Sequence, residues 1–227
     1  MKWENVKKGA YQLLDPIIRI LVRTGATPNR ITLIGLLITI FSTSILIYGA
    51  EKGQRGDMNY IFWFGIVLLF AGLFDMLDGQ LARRTNKLTK FGALFDSVID
   101  RYSEMIMFFG IAYYLVSYHY FLSSVFVFLA MIGSIMVSYI RARAEGLGVE
   151  CKIGLMQRPE RVLTIGFSAI LYGIISSIAG EFKFEVDWLH FPLFENISLF
   201  TIPIFLLAIL TNYTAFQRLN HCKNKMN

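Results

Sequence analysis

Six stretches of this sequence, approximately 31–50, 59–82, 91–117, 120–141, 160–179 and 196–217, stay apolar for long enough to cross a hydrocarbon core as helices, which takes about 20 residues. The expected fold class is therefore all-α: an integral membrane protein of six transmembrane helices. Composition agrees, with 55% of residues hydrophobic and 17% charged, too apolar a balance for an ordinary soluble domain. Every stretch also contains polar residues, as membrane enzymes and transporters do. The first residues, Met1 to Leu14, lack the apolar core of a secretory signal, so no cleavage is expected.

The placement of the basic residues orients the helices. The N-terminal arm holds Lys2, Lys7, Lys8, Arg19, Arg23 and Arg30, and the second-to-third connection holds Arg83, Arg84, Lys87 and Lys90. The fourth-to-fifth connection holds Arg141, Arg143, Lys152, Arg158 and Arg161, and the C-terminal tail holds Arg218, Lys223 and Lys225. Of the 22 lysines and arginines, only Lys52, Arg55 and Lys183 fall on the other side, with Arg101 inside a helix. Both termini are expected in the cytoplasm. Residues 3–24 interleave Trp3, Val6, Tyr11, Leu14, Ile18 and Leu21 with cations, and Pro16 interrupts or restarts the helix. We read residues 1–26 as an amphipathic juxtamembrane segment and 27–227 as the six-helix domain. Lys7 and Lys8 would then face anionic lipid, which accounts for part of the net charge of +6 without any nucleic acid. Cys151 and Cys222 imply no disulfide framework.

The acids are the unusual feature. Asp75, Asp78, Asp96 and Asp100 lie in segments that otherwise belong in lipid, where carboxylates are costly and usually face a functional cavity. Asp75 and Asp78 are three residues apart and Asp96 and Asp100 four apart, so each pair occupies one helix face. Counting inward from Arg83 and Lys90 at 1.5 Å per residue puts both pairs roughly 7–15 Å below the cytoplasmic boundary. As antiparallel neighbours, the two helices bring four carboxylates together. Such a cluster repels unless cations neutralise it, and all-oxygen ligands favour a hard ion, Mg²⁺ first, with Mn²⁺ possible. A pair of ions suits attack at phosphorus. Gly79, Ala82 and Gly92 leave room for a bulky ligand, or simply let helices approach.

The run Asp75-x2-Asp78-Gly79-x2-Ala82-Arg83-x8-Gly92-x3-Asp96-x3-Asp100 resembles the CDP-alcohol phosphotransferase signature at all eight fixed positions, and Thr27-Pro28-Asn29-Arg30-Ile31-Thr32 resembles the family's opening segment. The resemblance implies transfer of a substituted phosphate from a CDP-linked lipid to an alcohol, with CMP leaving. It implies that Asp75, Asp78 and Asp96 hold metal and diphosphate, and that Asp100 takes the hydroxyl proton and can also touch a second ion. Gly79, Ala82, Arg83, Gly92, Thr27, Pro28 and Asn29 would line the CDP-lipid pocket. The resemblance also implies a homodimer.

The acceptor is read from a second region. Arg158 and Arg161 flank Pro159, which suits the first turn of the fifth helix, and a helix N-terminus with nearby arginines favours an anion. Arg141 and Arg218 can join them. The Ala142-Arg143-Ala144-Glu145 run, Arg158-Pro159-Glu160-Arg161 and Gln217-Arg218 are similar to segments of prokaryotic phosphatidylinositol phosphate synthases, with two departures: Arg141 stands where the resemblance implies lysine, and Gln157 where it implies an acid. That likeness implies CDP-diacylglycerol as donor and inositol 1-phosphate as acceptor. Other enzymes of the class, making phosphatidylglycerophosphate or phosphatidylserine or using free inositol, are the alternatives, and a cation transporter is the alternative from outside it. A transporter would carry its acids to the midplane, whereas these cluster near one face.

Three smaller readings complete the sequence. Arg101 and Glu104, three residues apart, are expected to pair. Asn196-Ile197-Ser198, a formal glycosylation sequon, and Arg55-Gly56-Asp57 are taken to carry no function of their own.

Overall fold

A computed structural model describes residues 14–180, 182–184 and 194–226. Its long elements are α2 (Pro28–Lys52), α3 (Met58–Arg84), α4 (Lys90–Ser117), α5 (Phe121–Gly146), α6 (Arg158–Ala179) and α7 (Ser198–Met226). A short helix, α1, covers residues 14–23, and strands β1 (Lys183–Phe184) and β2 (Phe194–Glu195) pair antiparallel between α6 and α7. The first part of the amphipathic segment read from the sequence lies outside the described residues.

The helix starts follow from local chemistry. Asp57 accepts from the Asn59 backbone N–H at 3.0 Å to cap α3, and Thr89 accepts from that of Gly92 at 2.9 Å to cap α4. Pro28 and Pro159 occupy first-turn positions of α2 and α6, where a missing N–H costs nothing. Glu160 reaches back to accept from the Gln157 backbone N–H at 2.8 Å.

Packing closes the six long helices into a ring. α2 packs on α3, α3 on α6, α6 on α7, α7 on α5, α5 on α4, and α4 back on α2. This corrects one expectation: α3 and α4, which carry the aspartates, each pack chiefly against α2 rather than against one another. Close approach explains two glycines. A Cβ on Gly65 of α3 would lie 2.8 Å from both the Ala169 Cβ and the Gly166 carbonyl of α6, and one on Gly133 of α5 would lie 2.8 Å from the Asn212 backbone nitrogen of α7.

The ring has a filled interior, including Leu46, Phe64, Phe108, Ile111, Tyr114, Ile165 and Phe200. Its exterior is greasy, with Leu37, Phe41, Trp63, Phe70, Phe109, Phe128 and Leu171 all exposed. Lipid is the solvent that suits such a surface. Five helices (α2, α3, α5, α6 and α7) are long and apolar enough to cross a membrane, which fits a multi-pass membrane protein. α4 is as long, at 28 residues, but its first fifteen residues carry Lys90, Asp96, Asp100, Arg101 and Glu104.

At the end of the ring opposite the aspartates, Arg55 stacks 4.7 Å over the Tyr120 ring and pairs with Glu195 at 3.4 Å. Asp57 caps α3, so the Arg-Gly-Asp run serves as a structural latch. The Asn196 amide donates to Ser176 and the Gly180 carbonyl and accepts from the Phe182 N–H. Its side chain is committed to closing this end of the bundle.

At the aspartate end, α1 lies against α3. Leu14 and Ile18 are buried with Ile31, Leu77 and Leu81, and the helix runs through Pro16 without a break. Asp15 pairs with Arg84 and accepts from Arg19 at 2.7 Å, and these two guanidinium groups hold its carboxyl below the usual carboxylate range. A depressed carboxylate supports the folded contact above its ordinary value of about 3.9 and loses that support as pH falls through the lower folded value. Asp15→Ala should therefore raise tryptic cleavage after Arg84 at neutral pH, where the wild-type carboxylate is charged and paired. Equal cleavage of the two proteins at neutral pH would show that apolar burial alone holds α1.

Candidate active site

The four aspartates sit at one end of the ring, on α3 and α4. Asp78 is almost fully buried, and Thr32 of α2 donates to its Oδ2 at 2.6 Å. Asp75 pairs with Arg158, the first residue of α6. The same Arg158 Nη1 lies 2.6 Å from Asp100 Oδ1, and Arg101 lies 3.7 Å from Asp100 Oδ2. Asp75, Asp96 and Asp100 are within electrostatic reach of one another, and Asp78 within reach of Asp75 and Asp96. The depth argument from the sequence thus brings the two pairs to one level, with α2 supplying the wall between them.

Arg158 is the counter-cation of this cluster. Its contact with Asp100 Oδ1 is an ion pair without hydrogen-bond geometry, so that oxygen is buried with no hydrogen-bond partner, as is Arg158 Nε. Among the described residues no three His, Cys, Asp or Glu side chains already form a closed ligand set. The donor set is nonetheless all carboxylate oxygen, with one buried oxygen short of a partner. That chemistry fits a hard divalent ion.

A cavity of about 300 Å³ opens beside the acids. Asp96, Ser97, Asp100 and Arg101 of α4 line one side, with Arg141 of α5, Gln157, Arg158 and Arg161 of the α6 start, and Arg218 of α7. All four arginines singled out in the sequence therefore meet in one space. They are held differently. Arg161 is nearly inaccessible and bidentate to Glu104, at 2.5 and 2.9 Å, with a third bond of 2.7 Å to the Met156 carbonyl. Arg218 donates to the Ile153 and Val137 carbonyls at 2.8 and 2.6 Å. Arg141 is partly exposed and pairs with Glu145 at 2.9 Å.

The Arg101–Glu104 pair expected from sequence spacing is not formed. Glu104 is buried toward Arg161, while Arg101 donates to the Ser97 carbonyl at 2.7 Å and leans on Asp100. The reason is desolvation: a carboxylate buried this deep needs a bidentate partner, and Arg161 offers one. Thr32 was quoted only as part of the opening segment, yet it is the group that orients Asp78. The signal available was its depth, one turn inside α2.

The remaining signature positions lie at the mouth of the cluster. A Cβ on Gly79 would meet nothing closer than Arg83 Nη2 at 3.9 Å, so Gly79 leaves open space rather than serving helix packing. Gly92 is different. A Cβ there would press on the Thr89 hydroxyl at 2.9 Å and lie 3.5 Å from Asn29 Oδ1, which puts the opening segment directly beside the start of α4. Thr27 and Pro28 are half-buried next to it, Arg83 is exposed, and Ala82 is buried.

Known proteins share the sequence family and the fold. Residues 25–194 match the CDP-alcohol phosphatidyltransferase family. Over 224 residues the chain is 34% identical to archaetidylinositol phosphate synthase of Pyrococcus horikoshii, covering 98% of this chain and 97% of that protein. It is 30% identical over 211 residues to phosphatidylinositol phosphate synthase of Mycobacteroides abscessus, covering 92% and 83% respectively. The crystal structure of Mycobacterium tuberculosis phosphatidylinositol phosphate synthase with CDP-DAG bound superposes with a TM-score of 0.71 at 27% identity, covering 93% of this chain and 94% of that one. The same mycobacterial enzyme in complex with manganese and citrate gives 0.70 at 28% identity, covering 91% and 87%. This chain is a member of the CDP-alcohol phosphatidyltransferase family.

Proposed function

We propose that the chain transfers a phosphatidyl group from CDP-diacylglycerol to inositol 1-phosphate, giving phosphatidylinositol phosphate and CMP. The observation that carries this reading is the single cavity in which Asp96 and Asp100 face Arg141, Arg158, Arg161 and Arg218. An acid-lined centre for a cation and diphosphate adjoins a basic pocket for a second anion. A free polyol or serine has no need of four arginines there. The names of the relatives support the same acceptor.

In this reading Asp75, Asp78, Asp96 and Asp100 hold Mg²⁺ or Mn²⁺. When bound, the ion supplies charge stabilisation to the phosphoryl oxygens and the departing CMP. Gly79, Arg83 and the Thr27–Asn29 segment receive the cytidine diphosphate, and Arg83 neutralises phosphate charge. Asp100 takes the proton of the inositol hydroxyl as its oxygen bonds to phosphorus. The bond between that phosphorus and the CMP oxygen breaks. α4 serves as the sixth span, its acids turned toward the ring interior. The site and both termini face the cytoplasm, on the charge asymmetry of the connections, α1 lies in the interface, and two copies assemble as a dimer.

Purified protein given Mg²⁺, CDP-diacylglycerol or its ether-linked archaeal counterpart, and a panel of acceptors should release CMP far faster with inositol 1-phosphate than with glycerol 3-phosphate, serine or free inositol. Arg218→Ala should raise the apparent KM for inositol 1-phosphate about tenfold to a hundredfold, the value of one charge-assisted hydrogen bond, and change that of the donor less. A better rate with serine or glycerol 3-phosphate would keep the family and remove this acceptor.

A further inference from the structure

We propose that Arg158 and the divalent ion compete for Asp75 and Asp100, so that loading the ion frees the Arg158 guanidinium for the acceptor's phosphate and makes acceptor binding depend on metal. The proposal rests on the metal reading above.

The competition is geometric. One nitrogen, Arg158 Nη1, contacts Asp75 Oδ2 and sits 2.6 Å from Asp100 Oδ1, so it spans the two acid-bearing helices. A hard dication binds carboxylate oxygens at about 2.0–2.6 Å. The same two oxygens cannot serve both cations, and the cations repel one another across that distance. One must leave.

Arg158 is the cation built to leave. Each of the other deeply held arginines of the cavity has an anchor independent of the aspartates. Arg161 has Glu104 and the Met156 carbonyl, and Arg218 has two backbone carbonyls. Among the described residues Arg158 forms its ion pairs with Asp75 and Asp100, while Glu104 and Asp96 act on it at longer range, and its buried Nε has no hydrogen-bond partner. Once those carboxylates are claimed, no ion pair retains its side chain, and only the longer-range attraction of Glu104 and Asp96 remains. It already lines the cavity shared with Arg141, Arg161 and Arg218, so a side-chain rotation, with no helix movement, delivers its charge to an anion there. Its place at the N-terminus of α6 favours that anion further.

The arrangement has two consequences. Without metal, Arg158 relieves the repulsion among the carboxylates, so the cluster is held together within the membrane. With metal, the acceptor pocket gains a cation at the moment the reaction centre is complete. Coupling of this kind is reciprocal: whatever factor metal adds to acceptor affinity, acceptor must add to metal affinity.

The test measures binding without turnover. Mn²⁺ affinity of the detergent-purified protein is read by electron paramagnetic resonance, and inositol 1-phosphate affinity by calorimetry with and without Mn²⁺. Wild type should bind inositol 1-phosphate about ten- to a hundredfold more tightly with Mn²⁺, within the usual range of such coupling. Arg158→Gln should bind Mn²⁺ at least tenfold more tightly than wild type and show little coupling. Arg158→Lys, which keeps the charge and the fold, should restore part of the coupling. Arg101→Gln removes a cation near Asp100 Oδ2, the oxygen Arg158 does not contact, and should leave the coupling intact. If Mn²⁺ binds neither wild type nor Arg158→Gln, the metal reading itself falls. If it binds both equally, or if Arg101→Gln abolishes coupling as fully as Arg158→Gln, the metal site stands and the competition is overturned.

Discussion

Asn in place of any one of Asp75, Asp78, Asp96 or Asp100 will reduce CMP release by at least about a thousandfold, the scale of losing a principal electrostatic element of a phosphoryl-transfer site, while the protein still elutes as a folded species in detergent. Asn preserves the volume and polarity of Asp and removes its charge. Asp75, Asp78 and Asp96 each lose a charge assigned to the ion, and Asp100 loses the group assigned to the hydroxyl proton. Folding is spared because each Asn relieves carboxylate repulsion and leaves the other contacts of the cluster in place. Asp78→Asn keeps a side-chain oxygen for the Thr32 hydroxyl, and Asp75→Asn leaves Arg158 the Asp100 carboxylate. The four should differ in metal affinity. Asp78→Asn is expected to weaken Mn²⁺ binding, whereas Asp75→Asn also weakens the hold on Arg158, so its net effect on metal is smaller. Near-normal turnover in two of the four variants would remove the metal-site argument.

The aspartates were legible because a membrane makes them conspicuous. A carboxylate in an apolar run of 20 residues has few structural excuses, and helical periodicity then assigns its face and depth without knowledge of any partner. The start of α6 was legible for a similarly local reason, at Pro159. What sequence spacing could not supply was pairing between helices. Arg101 and Glu104 satisfy the spacing rule for a helical ion pair, yet the same four-residue stretch points them apart, one to Asp100 and one to Arg161. That choice depends on the ring order of the helices, which puts α6 opposite this face of α4 through α3 and the cavity. The direct α3–α4 packing expected from chain order failed for the same reason. Order along the chain does not by itself decide which helices touch: α2–α3, α4–α5 and α6–α7 pack as consecutive pairs, whereas α3 and α4 each turn to α2. The arginines are an intermediate case. Their convergence was readable from the charge gathered at one end of the helices, but whether each is free or anchored depends on carbonyls such as Val137 and Met156 that carry no sequence signal.

Arg161 separates these two kinds of role, because it is both anchored and at the cavity. Arg161→Met should destabilise the protein by about 3–5 kcal/mol, the cost of leaving a buried carboxylate without its partner, read as a large drop in thermal unfolding temperature in detergent. Glu104→Leu alone should cost about as much, since it strands the guanidinium. The double variant should recover most of that loss. Two apolar side chains of similar volume replace a pair whose mutual attraction mainly offsets its own desolvation. Activity should not recover in parallel. Three of the five guanidinium N–H groups of Arg161 are bound to Glu104 and Met156, which leaves two donors on a side chain lining the acceptor cavity. If those donors meet the acceptor's phosphate, the stable double variant will keep its affinity for CDP-diacylglycerol and show an acceptor KM raised about tenfold or more. An acceptor KM equal to wild type in the double variant would make Arg161 a purely structural clamp and reduce the phosphate pocket to Arg141, Arg158 and Arg218.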